Sequence, residues 1–483
     1  MSLLMETFVI RLIHIRRGCR RLQLTKQNHR RKEIKQTMRR KRTPLFALIL
    51  LFVATGAARA DNVDDYVKAE MKRQHIPGVS VAVIKDGKVI KAEGYGLANV
   101  ELNVPARPET VYKIGSVSKQ FIAAGVLLLV QDGKLSLDDK ISKFLEGTPD
   151  TWREITVQHL LTHTSGIVRE APGFDPLKIQ DDAEVIKTAY NSALRFAPGE
   201  KWEYCNVGYF SLAEIIRKVS GKPWSDYLSE RLFTPLEMNA TRATTMTEIV
   251  QNRANGYVWR NGKLDNAGIY FALRPSGAFL SSVLDLAKWD AALYTEKVLK
   301  QSTLSQAWAP VKLNNGATHP YGFGWELSRV GGHKMTHHGG SLPGFRAQFA
   351  RFMDDKLSVV VLTNGDNADP SLIAIGVAAL YIPGLIPERK LAKIDAKIFD
   401  TYTGQYQLNP SVVFTITREG DKLQLQQGSN PEKRDLLPES EINFFTNEDR
   451  RLTFSFVKDE NGQVAYLTVQ REGREIGRAK KIK

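Results

Sequence analysis

The hydrophobic pattern sorts the chain into strand-like and helix-like stretches. Val63, Tyr66, Val67 and Glu70-Met71 recur at helical spacing and predict a helix over 63–73. Two strand-like runs follow, Val79-Ser80-Val81-Ala82-Val83-Ile84 and Lys88-Val89-Ile90-Lys91-Ala92. They flank Lys85-Asp86-Gly87, and Asp-Gly between such runs predicts a hairpin. A third strand is expected over 97–100, and 110–114 leads as a strand into an apolar helix that Asp132-Gly133 ends. From 127 to about 240 the spacing is mostly helical. It includes a short helix over 155–164 and a longer one over 207–219, stopped by Ser220-Gly221. Strand character returns near 277–281, 322–327, 347–353 and 357–363, before a last apolar helix over 371–381. Strands, then helices, then strands predict an α+β fold: an antiparallel sheet flanked by helices, with a mostly helical subdomain.

Past residue 385 the pattern changes. Pro383-Gly384, Pro387 and a run of charges mark a linker at 386–396. Short strands at 412–417, 422–426, 442–446, 452–457 and 464–471, with turn signals at Glu419-Gly420-Asp421 and Glu460-Asn461-Gly462, predict a small barrel-like all-β domain over 397–483. No internal repeat is present. The main domain is expected over 61–385, which leaves 1–60 as a leader.

Charge confirms that division. The formal net charge is +16, but residues 1–60 hold fifteen Lys/Arg against Glu6 and Glu33, so the remaining chain carries only +3. A nucleic-acid partner is therefore not expected. The leader reads as a secretory signal: Arg39-Arg40-Lys41-Arg42, ten apolar residues over 45–54, and Ala58-Arg59-Ala60 before a cleavage point at Asp61. That predicts a periplasmic or secreted protein, touching a membrane only through this segment if it stays uncleaved. The 37 residues ahead of Met38 exceed an ordinary signal n-region and suggest a true start at Met38. Of the two cysteines, Cys19 and Cys205, only the second would survive cleavage, so no internal disulfide is expected.

Three stretches carry candidate chemistry. In Gly115-Ser116-Val117-Ser118-Lys119, a hydroxyl and an amine stand three residues apart at the start of a helix, on one face. A serine needs a base to attack, and a lysine serves if its surroundings lower its pKa. The first-turn N–H groups favour a developing oxyanion. Alone, the spacing equally fits a capping serine and a solvated lysine. In Tyr204-Cys205-Asn206 a phenol can shuttle a proton, and the carboxamide can hold a substrate carbonyl or Lys119. In His337-His338-Gly339-Gly340-Ser341-Leu342-Pro343-Gly344-Phe345, ahead of the strand near Ala347, glycines admit a substrate backbone and the Ser341 N–H can be a second oxyanion donor. His159 and His163 have an i, i+4 spacing, but Leu160 stands where H-E-x-x-H needs glutamate, so no metal is expected. Gly339-Gly340-Ser341-Leu342-Pro343 lacks the last glycine of a nucleophile elbow.

In this order, Ser116-x-x-Lys119, Tyr204-x-Asn206 and His338-x-Gly340 resemble the motifs of the serine β-lactamase and penicillin-binding-protein-like family, in its class C β-lactamase-related branch. Leu161-Thr162-His163-Thr164-Ser165-Gly166-Ile167, Pro235-Leu236-Glu237-Met238 and Tyr321-Gly322-Phe323-Gly324-Trp325 agree, so the resemblance covers about 62–382. Tyr402-Thr403-Gly404-Gln405-Tyr406 resembles the lipocalin-like domain appended to some members. The resemblance implies an acyl-enzyme formed on Ser116, with Lys119 and Tyr204 sharing the proton work and the base left open between them. It implies an oxyanion hole of Ser116 and Ser341 N–H groups, substrate contacts from Asn206, His338, Gly340 and Ser341, no cofactor, and a small-molecule or peptide substrate. His338 stands where β-lactamases carry lysine, and a partly charged imidazole argues for a peptidase or esterase over an efficient β-lactamase. A D-amino-acid-containing peptide or a small ester is the expected substrate. A slowly turning-over penicillin-binding or peptidoglycan-sensing module and a class C-type β-lactamase are the alternatives. Loops 169–182 and 311–319 are expected to set specificity.

Overall fold

The computed structural model describes residues 62–243, 247–268, 275–277, 279–428 and 432–483. The leader, Cys19, Met38 and the cleavage point after Ala60 lie outside them. A seven-stranded antiparallel sheet carries the larger part. Its order is Glu326–Val330, His333–Leu342, Phe345–Phe352, Leu357–Thr363, Gly78–Lys85, Lys88–Asn99 and Val104–Pro105. Asp86 and Gly87, at φ 50° and 71°, form the tight turn of the predicted hairpin.

The neighbouring strands Gly78–Lys85 and Leu357–Thr363 are mostly apolar and buried along nearly their whole length because both sheet faces are covered. Val79, Val81, Val83, Val359 and Val361 point to one side, against Val63 and Val67 of helix 62–74 and Ile373 and Val377 of helix Pro370–Ala379. Ala82, Ile84, Val360 and Leu362 point to the other, into a core shared with Phe121, Leu286 and the helical subdomain. The period of two along each strand thus serves two cores at once.

Four local expectations need correcting. The strand expected at 97–100 is the end of Lys88–Asn99, and the true third strand of this edge is Val104–Pro105, paired across a register shift between Leu97 and Asn99. The helix expected over 155–164 is only Val157–Leu161. It opens on a reciprocal cap between Thr156 and His159, and the chain beyond it turns left-handed at His163, φ 61°. The strand expected from 322 begins at Glu326. The Gly115–Ser118 segment is a 3₁₀ turn, with the α-helix starting at Lys119 and running to Gln131.

The tail is a closed antiparallel barrel of eight strands, from Gly404–Asn409 to Arg474–Lys481, sealed by Tyr406 opposite Lys481. Its core includes Tyr402 stacked on Phe456 at 4.2 Å. Three of the strands were not expected from the sequence, Gly404–Asn409, Lys433–Pro438 and Arg474–Lys481, and the last two carry no visible alternation. In the last of these only Ala479 is buried.

Candidate active site

The Ser116 turn and the strand His333–Leu342 touch through glycines. A Cβ on Gly340 would come 1.9 Å from the Ile114 carbonyl oxygen, and one on Gly115 would come 2.5 Å from the Ser341 nitrogen. The His338–Ser341 stretch is therefore itself a strand, packed backbone to backbone against the nucleophile turn. This contact sets the Ser341 amide against the turn that presents the Ser116 N–H, whose place in the first turn leaves it without an intrahelical acceptor. Ser118 anchors the turn from below, donating to the Gly115 carbonyl at 2.5 Å and accepting from the Phe279 N–H at 3.2 Å. Gly340→Ala is expected to lower kcat/KM on p-nitrophenyl acetate by about 10²–10³-fold, the loss typical of a misplaced oxyanion donor. Gly339→Ala should cost less than about tenfold, because its Cβ meets only the mobile end of Gln348 at 3.3 Å and the Ala347 oxygen at 3.8 Å. Equal losses in the two variants would remove the close-approach explanation.

Lys119 is fully buried. Its Nζ lies 3.1 Å from Ser116 Oγ, 2.9 Å from Asn206 Oδ1 and 2.7 Å from the Ser276 carbonyl oxygen. As an ammonium it donates to all three. As a neutral amine it donates to the two carbonyl-type oxygens, which accept only, and its lone pair is left facing the Ser116 hydroxyl. The surroundings thus accommodate both protonation states with the same geometry, the requirement for a base that takes and returns a proton.

Asn206 opens the helix Asn206–Ser220, capped by Cys205, whose Sγ accepts from the Gly208 N–H at 3.3 Å. Its Oδ1 holds Lys119, and its Nδ2 donates to the Glu170 carboxylate. Of the two roles open to its carbonyl oxygen, it takes the one on Lys119, while the side chain still lines the cleft. The Tyr204 ring stacks 4.7 Å from Lys119 Nζ, with the Arg169 guanidinium 5.2 Å from its centre. Its hydroxyl is buried with no hydrogen bond of good geometry. Burial pushes the phenol above its ordinary range, and the neighbouring Ser116 hydroxyl only partly offsets that. Tyr204 is therefore a neutral phenol at working pH.

Behind these residues runs a hydrogen-bond relay whose direction the partners dictate. The Cys205 N–H donates to His163 Nδ1 at 3.1 Å, so the neutral His163 ring carries its proton on Nε2. That N–H donates to the Tyr321 hydroxyl at 3.1 Å, which donates on to His338 Nε2 at 3.1 Å. His338 Nδ1–H ends the relay on the Gly339 carbonyl at 2.7 Å. The relay ties the Tyr204–Asn206 segment to the strand carrying Gly340 and Ser341. It also corrects the expectation for His338. The ring is 2 % exposed, with both nitrogens bonded inward, and burial, with Lys119 next, pushes its pKa down to about 3. It borders the cleft as a neutral ring bonded inward, not as the partly charged group expected. His159 and His163, which share a metal-like spacing, serve as a helix cap and as a relay member.

The cleft beside Ser116 has a volume of about 500 Å³ and is also lined by Tyr204, Asn206, Gly340 and Ser341. Sequence reasoning missed the Ser276 carbonyl, Glu170, Glu326 and the role of Tyr321. Tyr321 stood in a stretch that matched the family pattern, but no spacing linked it to His163 and His338. A backbone carbonyl such as that of Ser276 leaves no trace in a sequence.

Fold and site together define a serine hydrolase whose nucleophile is paired with a lysine three residues on. The chain belongs to the Beta-lactamase family, whose family model matches residues 63–380. Residues 388–479 match a second family, described as a domain of unknown function (DUF3471). The chain is 31% identical over 396 residues to penicillin-binding protein 4* of Bacillus subtilis, covering 76% of this chain and 87% of that protein. It is 28% identical over 433 residues to the D-aminopeptidase of Brucella melitensis biotype 1, covering 86% and 80%. Among solved structures, the octameric penicillin-binding protein homologue from Pyrococcus abyssi aligns with a TM-score of 0.64 at 28% identity, over 87% of this chain and all (100%) of that one. The D-amino acid amidase from Ochrobactrum anthropi SV3 aligns with a TM-score of 0.57 at 25% identity, over 66% and 96%.

Proposed function

We propose that the protein is an exported hydrolase that forms an acyl-enzyme on Ser116 with an amide or ester, favouring D-amino-acid-containing peptides and amides. The observation that carries the chemistry is the Lys119 geometry: an amine 3.1 Å from Ser116 Oγ that also meets Asn206 Oδ1 and the Ser276 carbonyl, both of which can only accept. In this mechanism neutral Lys119 takes the Ser116 proton as Oγ attacks the carbonyl carbon. The oxyanion forms between the Ser116 and Ser341 N–H groups. Tyr204, held as a phenol, passes a proton to the leaving nitrogen or oxygen and recovers one from Lys119. Water then cleaves the acyl-enzyme and releases the acid.

The D-amino-acid preference is supported by two relatives of this chain, a D-aminopeptidase and a D-amino acid amidase. Against the β-lactamase reading stands the neutral, inward-bonded His338 in place of a lysine cation. The mature protein should be assayed on D- and L-alanine p-nitroanilide, p-nitrophenyl acetate and nitrocefin. A D-over-L preference of at least tenfold in kcat/KM is expected. Nitrocefin as the best substrate would favour a β-lactamase, and covalent labelling without turnover would favour a penicillin-binding module. Export rests on the leader, and N-terminal sequencing should find Asp61 first.

A further inference from the structure

Residues 63–483 form one compact unit, and within it a second opening lies between the hydrolase domain and the barrel. Its volume is about 1330 Å³, above the roughly 300–1,000 Å³ of a small-ligand site. One wall is the end of helix 62–74, the hairpin carrying Trp259 and the start of helix Pro370–Ala379. The other comes from the barrel and includes Arg434, Asp449 and Arg471. This groove adjoins the catalytic cleft. Asp369 and Leu372 line the groove, whereas Pro370 and Ser371 between them line the cleft. One helical turn therefore separates the two openings.

The hydrolase wall is held in place by its own hydrogen bonds. Gln74 is buried, its Oε1 accepting from the Asp369 N–H at 2.6 Å and its Nε2 donating to Glu70 Oε2 at 2.6 Å. Asp369 Oδ1 caps its helix by accepting from the Leu372 N–H at 2.9 Å. His75 turns left-handed at φ 53° where helix 62–74 ends, and its ring lies flat on Trp259, the centres 4.1 Å apart.

Charge decides what the groove can hold. Its carboxylates are engaged: Asp449 accepts from Arg451 at 2.7 and 2.8 Å, Asp369 caps its helix, and Glu432 and Glu448 act on Arg73. Arg73 is itself paired with Glu70 at 2.6 Å, and Arg471 stands 3.8 Å from Asp449. Two cations remain, Lys72 and Arg434. Among the described residues neither side chain meets a carboxylate or another hydrogen-bond acceptor. The neighbours of Arg434 in its strand, Lys433 and Asp435, are answered by Glu419 and Lys422. The catalytic cleft offers a carboxylate less. Its Arg346 lies 2.5 Å from Asp366, its Arg169 lies 4.0 Å from Glu170, and Glu326 adds a further negative charge.

Resting on the amide-hydrolase reading above, we propose that the groove is a distal subsite, in which Lys72 and Arg434 bind a carboxylate of a long peptide whose scissile bond lies at Ser116. The hydrolase domain supplies the chemistry, and the barrel supplies part of the grip. A distal carboxylate meets two cations that give up no partner to receive it. A short amide or ester never reaches them. The enzyme therefore selects long acidic peptides over neutral ones of the same length.

The test uses two peptide series. D-Ala-(Gly)n-Glu-NH₂ extends the leaving side, and acetyl-Glu-(Gly)n-D-Ala-p-nitroanilide extends the acyl side. Each is compared with its Gln counterpart at two, four and six glycines, because each residue adds at most ~3.3–3.6 Å of reach. In one series, at its best spacer, Glu should be favoured over Gln at least fivefold in kcat/KM at low salt, mainly through KM. Exposed cations give modest pairs, so a preference of hundreds is not expected. The preference should fade in 0.5 M NaCl, where such charges are screened. Arg434→Glu and Lys72→Glu should each bring the ratio to one or below, and Arg434→Lys should keep most of it. The ratio cancels any general loss of activity, and the salt series needs no variant if the substitutions misfold. A ratio near one at every spacer in both series overturns the subsite. So does a preference that salt leaves intact, or one that neither charge reversal changes, which would place the carboxylate in the catalytic cleft. Failure of the underlying reading looks different: no amide, short or long, is cleaved and a fluorophosphonate leaves wild-type Ser116 unlabelled, and both proposals then fall.

Discussion

Ser116→Ala is expected to abolish labelling by a fluorophosphonate and to lower kcat/KM by ~10⁴-fold or more, the scale seen when the nucleophile of a serine hydrolase is removed. Stability should hold, with the unfolding midpoint within ~2 °C of wild type, because surface-facing changes that strand no buried group cost little. The hydroxyl is half-buried at the cleft wall, and Lys119 keeps Asn206 and Ser276 as partners without it. Lys119→Met should behave differently. It removes the proton acceptor and also strands the Asn206 oxygen and the Ser276 carbonyl in a dry site, so about 1–3 kcal/mol of stability should go with the activity. Wild-type labelling of Ser116→Ala would place the nucleophile elsewhere.

Mild acid should unfold the protein well before carboxylate protonation would. His163, His337 and His338 are held neutral by burial, His163 well below its ordinary range, His337 at about 4 and His338 at about 3. In the unfolded chain each takes a proton near ~6.5. Between those limits the unfolded state binds more protons, so the stability they contribute is intact above pH ~6.5 and falls with pH by about 1.4 kcal/mol per unit per histidine. Asp182, pushed up to about 7 by burial, works in the opposite sense over the same range. Because an unfolded histidine is only half protonated at pH 6.5, the three together, less Asp182, should cost about 3 kcal/mol between pH 6.5 and 5. Urea unfolding at pH 7.5, 6.5, 5.5 and 5 reads this directly. A midpoint that stays flat across that range would show that the relay histidines are not buried as neutral rings.

The sheet and its central hairpin were readable because Val79–Ile84 and Asp86-Gly87 state their structure locally, through an apolar run and a turn that accepts positive φ. The nucleophile pair was readable for a similar reason: three residues of spacing suffice to place Ser116 beside Lys119. What escaped is set by long-range packing. Tyr321 joins His163 and His338 only after strands from distant parts of the chain meet, and Glu326 faces the cleft only because its strand pairs with His333–Leu342. His338 was misjudged because the sequence shows which residue stands at a position but not which way its ring turns. Arg474–Lys481 was missed because a barrel strand that buries only Ala479 has no apolar stripe to detect.

The sheet order bears on synthesis. Gly78–Lys85 leaves the ribosome early, yet one of its two neighbours is Leu357–Thr363, paired from Val79 with Thr363 to Lys85 with Leu357. At ~5–20 residues per second the partner arrives on the order of tens of seconds later. Throughout that interval this largely apolar strand has one bare edge, and the face that Ile373 and Val377 later cover stays partly open. An unprotected edge of this kind is a template for pairing with other chains. A nascent chain of this enzyme thus needs either a holding chaperone or prompt transfer out of the cytosol. A chain broken off before Leu357 retains the hairpin and the nucleophile but has no strand with which to close the sheet.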